Sequence, residues 1–159
     1  MIPFRSIRSA IIQGLVSATG LPLVEMNDNG PVDTYPYITY DFVEFPGTVQ
    51  GLPAETFDGA MKTFTETVEF TVSFHSYAAY KDESIENAMK VCEWLRTDGR
   101  EILSASVNVV VIRVGPIQNR DIAIGSEWER RHGFDVEFRT MNTMQTSEYS
   151  IDSAEIQRR

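Results

Sequence analysis

Cysteine is almost missing from this chain: Cys92 is the only one in 159 residues, which excludes an intrachain disulfide and a cysteine-built zinc site. Such usage suits folding in a reducing compartment. Histidine is scarce too. His75 and His132 fall on separate predicted strands, outside any HxxxH or HExxH spacing that would set two ligands on one helix face. The chain has no GxSxG elbow and no GxxxxGK[ST] or GxGxxG loop, so hydrolase and nucleotide-binding readings lose their usual support, and neither a metal nor another cofactor is expected. A run of about 20 apolar residues is also lacking. Arg5 and Arg8 precede Ile11, Ile12, Leu15 and Val16 in the manner of a leader, but Gln13, Gly14 and Ser17 interrupt the stretch, and neither an export signal nor a membrane span is expected. Basic charge is the last shortage. With 14 Lys+Arg against 23 Asp+Glu the net charge is −9, which opposes a phosphate-binding footprint because nucleic-acid affinity comes mainly from Lys and Arg displacing counterions.

What is present reads as an ordinary globular domain. Apolar residues at 42% and charged residues at 23% lie far from the signature of disorder, and the length favours a single unit, drawn here as a domain over 1–152 with a polar tail at 153–159. Residues 4–19 carry apolar side chains at helical spacing, with Pro3 suited to a first turn and Gly20 to a stop. Turn formers crowd the next stretch, and residues 37–45 are rich in β-branched and aromatic types, predicting a strand ended by Pro46-Gly47. Residues 46–61 read as a loop, with Leu52 and Phe57 available for docking to a partner. Then Phe64, Val68, Phe70, Val72 and Phe74 alternate with polar residues, the period of a half-buried antiparallel strand, predicting a long hairpin with the strand before it.

Asp82 or Ser84 can cap a helix whose Ile85, Ala88, Met89, Cys92 and Leu95 form one stripe, ending at Asp98-Gly99 with glycine in the left-handed conformation. Cys92 on that stripe reads as core. Residues 103–114 form a Val/Ile-rich run that predicts a central strand, 117–124 a short excursion, and 126–140 a long strand with a possible bulge at Gly133. Tyr149, Ile151 and Ile156 are candidate docking residues near the C-terminus. The expected fold is α+β, a mainly antiparallel sheet of four to five strands with two helices packed on one face.

Charge is unevenly placed. No basic residue lies between Arg8 and Lys62, whereas Glu25, Asp28, Asp33, Asp41, Glu44, Glu55 and Asp58 do. Five of the 11 arginines lie between 113 and 139, interleaved with acids, and Trp128 opens the densest stretch. One reading is a solvated ion-pair ladder, each pair worth about 0–1 kcal/mol. The other is a subunit contact in which Arg120, Arg130 or Arg131 meets the acidic segment of a neighbour, with Trp128 in the core or the interface. At such a contact Arg130 and Arg131 are expected to contribute little to the folding of the monomer.

The stretch ERRHGFDVEFR at 129–139, Pro36-Tyr37-Ile38-Thr39-Tyr40, and the strand from Glu69 to Tyr77 together resemble the neck or tail terminator proteins of long-tailed bacteriophages. The likeness runs from the first helix to about Asp152. It implies a small α+β subunit of a hexameric ring that caps the tail tube, ends its growth and docks the head connector, catalysing no reaction. It places Arg130, Arg131, Phe134 and Phe138 in the sheet and at its subunit boundary. Its implied partners are further copies of the chain, the tail tube protein and the head connector or head-completion protein. No membrane is involved, and genomic DNA passes without being bound. The implied location is the virion neck, after assembly in the host cytoplasm. Alternatives are another head–tail joining or tail-completion protein, or a small ligand-binding or enzymatic domain using His75 and nearby carboxylates.

Overall fold

The computed structural model describes residues 1–28 and 34–147. Tyr149, Ile151, Ile156, Asp33 and the 153–159 tail lie outside them. Helix α1 (Phe4–Thr19) buries Ile7, Ile11 and Leu15, one per turn, and stops at Gly20, whose φ of 70° lets its N–H reach the Val16 carbonyl. Next come β1 (Leu23–Glu25), β2 (Tyr37–Glu44), β3 (Val49–Phe57), β4 (Met61–Ala78), α2 (Lys81–Arg96), α3 (Asp98–Val107), β5 (Val110–Val114), β6 (Gln118–Asn119), β7 (Ile122–Ile124) and β8 (Glu127–Ser147). The main strand order is β1-β2-β4-β8-β5, with β3 on β4 and both β6 and β7 on β8.

The central pair is β4 and β8. All 18 residues of β4 pair antiparallel with β8 in one unbroken register, from Met61 opposite Ser147 to Ala78 opposite Arg130. Alternation then separates the two faces. Phe70, Val72 and Phe74 on β4 and Phe134, Val136 and Phe138 on β8 are buried in one cluster with α1, α2 and α3. Phe70 stacks on Phe138 with ring centroids 5.2 Å apart, and Phe74 lies 5.8 Å from Phe134. Toward 61–67 and 141–147 the pair runs past this cluster, and with β3 it forms a three-stranded arm.

The architecture corrects the sequence expectation in several places. Among the described residues there are three helices and a mixed sheet of eight strands, because β1 joins β2 in parallel. Most of the 46–61 segment is strand: its Gly51, Leu52 and Pro53 lie within one register break between Gln50 and Ala54, flanked by ordinary pairing to β4. The long hairpin is therefore β3–β4, while β2 pairs with β4 farther along.

The 103–114 run is helix first and strand second. Leu103 belongs to α3, Asn108 ends that helix at φ 53°, and only then does β5 begin, an ambiguity that short apolar runs carry by nature. Gly133 makes no bulge between β4 and β8. Instead a Cβ there would stand 2.9 Å from both His75 Nδ1 and the Phe74 carbonyl, so the glycine permits a close approach.

Gly99 lies inside α3, and its role is also closeness. A Cβ on it would fall 2.7 Å from Trp94 Cε3, and one on Gly14 of α1 would run into the opposite side of the same indole. Trp94 of α2 is thus clamped between two glycines, which lets the three helices meet. An exposed Gly→Ala change in a helix usually stabilises by about 1 kcal/mol. Gly14→Ala should do the reverse, lowering stability by about 1–3 kcal/mol through overpacking against Trp94, as read from the midpoint of urea unfolding.

Candidate functional site

The face of β4 and β8 turned away from the helices carries the polar residues. Ser73 and His75 of β4 and Asp135 of β8 project there, and Arg120, between β6 and β7, folds across them. Ser73 Oγ donates to Asp135 Oδ1 at 2.6 Å and lies 3.2 Å from His75 Nε2. Arg120 Nη1 donates to Ser73 Oγ at 3.1 Å and to His75 Nε2 at 3.0 Å, while Nη2 reaches Asp135 Oδ1 at 3.4 Å. Serine, histidine and aspartate are all present, but the wiring differs from an activated nucleophile. The serine proton points at the carboxylate, and a guanidinium, which only donates, occupies the imidazole nitrogen that would have to act as base.

The imidazole proton therefore sits on Nδ1, a buried atom without a hydrogen-bond partner among the described residues. Burial, with Arg120 and then Arg131 beside it, pushes His75 down to about 4, against a weaker opposing pull from Asp135. The ring is neutral at pH 7, and the cluster ties the β6–β7 segment to the sheet.

Beside it lies a ladder of rings. Tyr35, Tyr37 and Tyr77 stack with centroids 5.6 and 4.9 Å apart, and the Arg131 guanidinium covers Tyr77 at 5.9 Å. Arg131 also donates through Nε to the Arg120 carbonyl and through Nη1 to the Tyr77 hydroxyl at 3.2 Å. Arg130 pairs with Asp121 at 3.1 Å, and that carboxylate, with a side chain only 7% exposed, also accepts the Arg131 N–H at 2.8 Å. Arg113 pairs with Glu137.

Arg120, Arg130 and Arg131, expected to meet a neighbouring copy, each bond within their own chain. Burial of their partners was invisible in a linear pattern of alternating charge. Trp128 is 58% exposed, which takes it out of the core. It borders a hollow of about 320 Å³ together with Tyr35, Ile124, Glu127 and Glu129.

Leu52 and Phe57, expected for docking, stand on the arm at 95% and 50% exposure. At the arm's root Phe4, Phe45, Pro46 and Met144 line an apolar hollow of about 450 Å³. Cys92 is buried, and burial raises its thiol to about 11, in keeping with a core role. The sequence reading missed the tyrosine ladder and the cluster around Arg120. The available signal was the odd-numbered polar parity of β4, where Ser73, His75 and Tyr77 share one face.

The surface thus carries two hollows edged by exposed aromatic side chains, an arm beyond the core and a hydrogen-bonded polar cluster. Residues 7–158 match the family model described as phage neck terminator protein, and the chain belongs to that family, a structural family of the virion neck. No curated protein matches it. No helix among the described residues is long and apolar enough to cross a membrane.

The His75 shift has a sign that can be tested. Above pH 6.5 the ring is neutral whether folded or unfolded; between 6.5 and about 4 only the unfolded chain binds the proton, so stability falls as pH is lowered through that window. Partial solvent access reduces the effect to about 1–2 kcal/mol. Melting temperatures from pH 7 to pH 4 should drop more steeply for the parent than for His75→Gln. Arg130→Glu, which sets a second carboxylate against nearly buried Asp121, should cost the monomer about 1–3 kcal/mol, as measured by urea unfolding at pH 7.

Proposed function

We propose that the protein is the tail terminator of a phage neck: a ring, hexameric as its family resemblance implies, that caps the tail tube, stops subunit addition and offers the docking surface for the head connector. The observation that carries this reading is the match to the neck terminator family across nearly the whole chain. The arm supports it. Leu52 and Phe57 are held far from the core cluster, where apolar side chains serve contact with another molecule better than folding.

Heterologous contacts close into a ring when the rotation between copies is right. The exposed Trp128 and its neighbours Arg120, Arg130 and Arg131 mark one candidate subunit boundary, with the arginines holding the surface in shape from beneath. The charge of −9 fits a conduit whose acidic lumen repels the phosphates of passing DNA, so that the genome moves through without being bound. A basic lumen in the assembled ring would reverse that assignment.

Electron microscopy and native mass spectrometry of the purified protein test the reading. Closed rings are expected. A chain that stays monomeric at every concentration, with tail tube protein present as well, would sink it. In particles lacking the protein, overlong tails are the expected phenotype of a missing terminator, whereas unattached tails of normal length would point to a joining role.

A further inference from the structure

The far side of β8 is covered unevenly. β5 pairs with it no farther than Arg139, yet β8 continues to Ser147, so 141–147 have β4 on one side and, among the described residues, no strand on the other. Two bonds show which backbone groups face that open side. Gly115 N–H reaches the Asp135 carbonyl at 2.8 Å and Arg120 N–H the Arg131 carbonyl at 2.9 Å, both from the side away from β4. Alternate residues of an antiparallel strand bond to opposite neighbours. Hence Met141, Thr143, Gln145 and Ser147 direct their N–H and C=O outward, while Asn142, Met144 and Thr146 bond to β4. The N-terminal ammonium meets the Thr143 carbonyl at 2.7 Å, as this parity requires.

Natural edges are usually blunted by charge, proline or a bulge. Past the Thr143 carbonyl, which the N-terminal ammonium already meets, Met144-Gln145-Thr146-Ser147 has none of these. On the opposite edge of the arm, β3 is interrupted in its first half, by the register break at Gly51, Leu52 and Pro53. Its second half, 54–57, is regular. There Ala54 and Thr56 bond to β4, because the odd-numbered residues of β4 face β3, as the 2.9 Å bond from Glu69 N–H to the Thr48 carbonyl shows. Glu55 and Phe57 therefore point their backbone groups outward. The Glu55 carboxylate is already paired with Lys62 at 2.9 Å.

We infer that the open edge of β8 at 144–147 receives 54–57 of β3 from a second copy of this chain as a parallel strand. Direction and parity both allow it. β3 and β8 are each antiparallel to β4, so they run the same way, and copies related by rotation about an axis along the arm present them in parallel. Thr56 lies opposite Thr63, and Thr63 opposite Gln145, so Thr56 and Gln145 stand at one level on the arm. Brought edge to edge at that level, Gln145 N–H meets the Glu55 carbonyl and Phe57 N–H meets the Gln145 carbonyl, the slanted pattern of a parallel ladder. The contact is head to tail, repeats without using up either edge, and removes both once the ring closes.

This rests on the ring reading, and the test separates the two. Gln145→Pro removes an N–H that faces away from β4 and is the kind of edge substitution strands accept, whereas Met144→Pro removes one bonded to β4. In native mass spectrometry the parent is expected as a ring and Gln145→Pro as a monomer melting within a few degrees of the parent; Met144→Pro should melt far lower. A Gln145→Pro ring as stable as the parent's would overturn the inference and leave the ring reading standing. Hydrogen exchange on the unmodified chain gives a second measure. The Gln145 and Phe57 amides should slow together when rings form. Rings in which both stay fast would overturn the inference, as would rings that protect them only after tail tube protein is added. A parent that remains monomeric with tube protein present removes both readings.

Discussion

The unbroken register between β4 and β8 is the constraint on which the rest of the molecule depends. Because 18 consecutive residues of β4 pair without a slip, the parity set at one end holds at the other, and a shift of a single residue would turn Phe70, Phe74, Phe134 and Phe138 into water. The same ladder builds both faces. Its even-numbered residues make the bed for the helices, and its odd-numbered ones bring Ser73, His75 and Asp135 under Arg120. It also outreaches the helical layer, and that overhang is the arm.

The helical layer is held by a smaller device. Trp94 could not lie where α1, α2 and α3 converge if Gly14 or Gly99 carried a side chain, so two residues without packing area of their own decide how closely the helices approach. On the other face cohesion comes from polar wiring. Arg120, Arg130 and Arg131 each bond to groups on neighbouring strands or turns, and Asp121, nearly covered, holds both the Arg130 guanidinium and the Arg131 amide. Single pairs of this sort contribute little when exposed; here the shared acceptors and partial burial make them a network.

Much of the fold was legible from period alone. The α1 stripe, the alternation of β4, and the Phe134, Val136 and Phe138 repeat of β8 were readable because each element buries one face only. Elements that bury little escaped. β3 has a mostly exposed pattern and a Gly-Leu-Pro break that mimics a loop, and β1 is too short to show a period. The 103–114 run reads as one strand because Val and Ile crowd it, whereas only Leu103, Val109 and Val111 are buried and the end of α3 at Asn108 divides them. Leu52 and Phe57, expected on a Gly- and Pro-rich loop, stand exposed on a strand instead. The arginines looked like surface charge because the burial of Asp121 and the carbonyl acceptor of Arg120 are facts of three dimensions.

The two tryptophans stand in opposite environments, and that gives the molecule an optical signature. Trp94 is enclosed at the helix junction and Trp128 lies open beside Glu127 and Glu129. Indole emission moves to the red in water and to the blue in an apolar surround. Unfolding therefore shifts the emission of Trp94, while a contact that covers Trp128 shifts the other component in the opposite direction. With the sequence unaltered, the intrinsic fluorescence reports separately on the integrity of the subunit and on the covering of its surface.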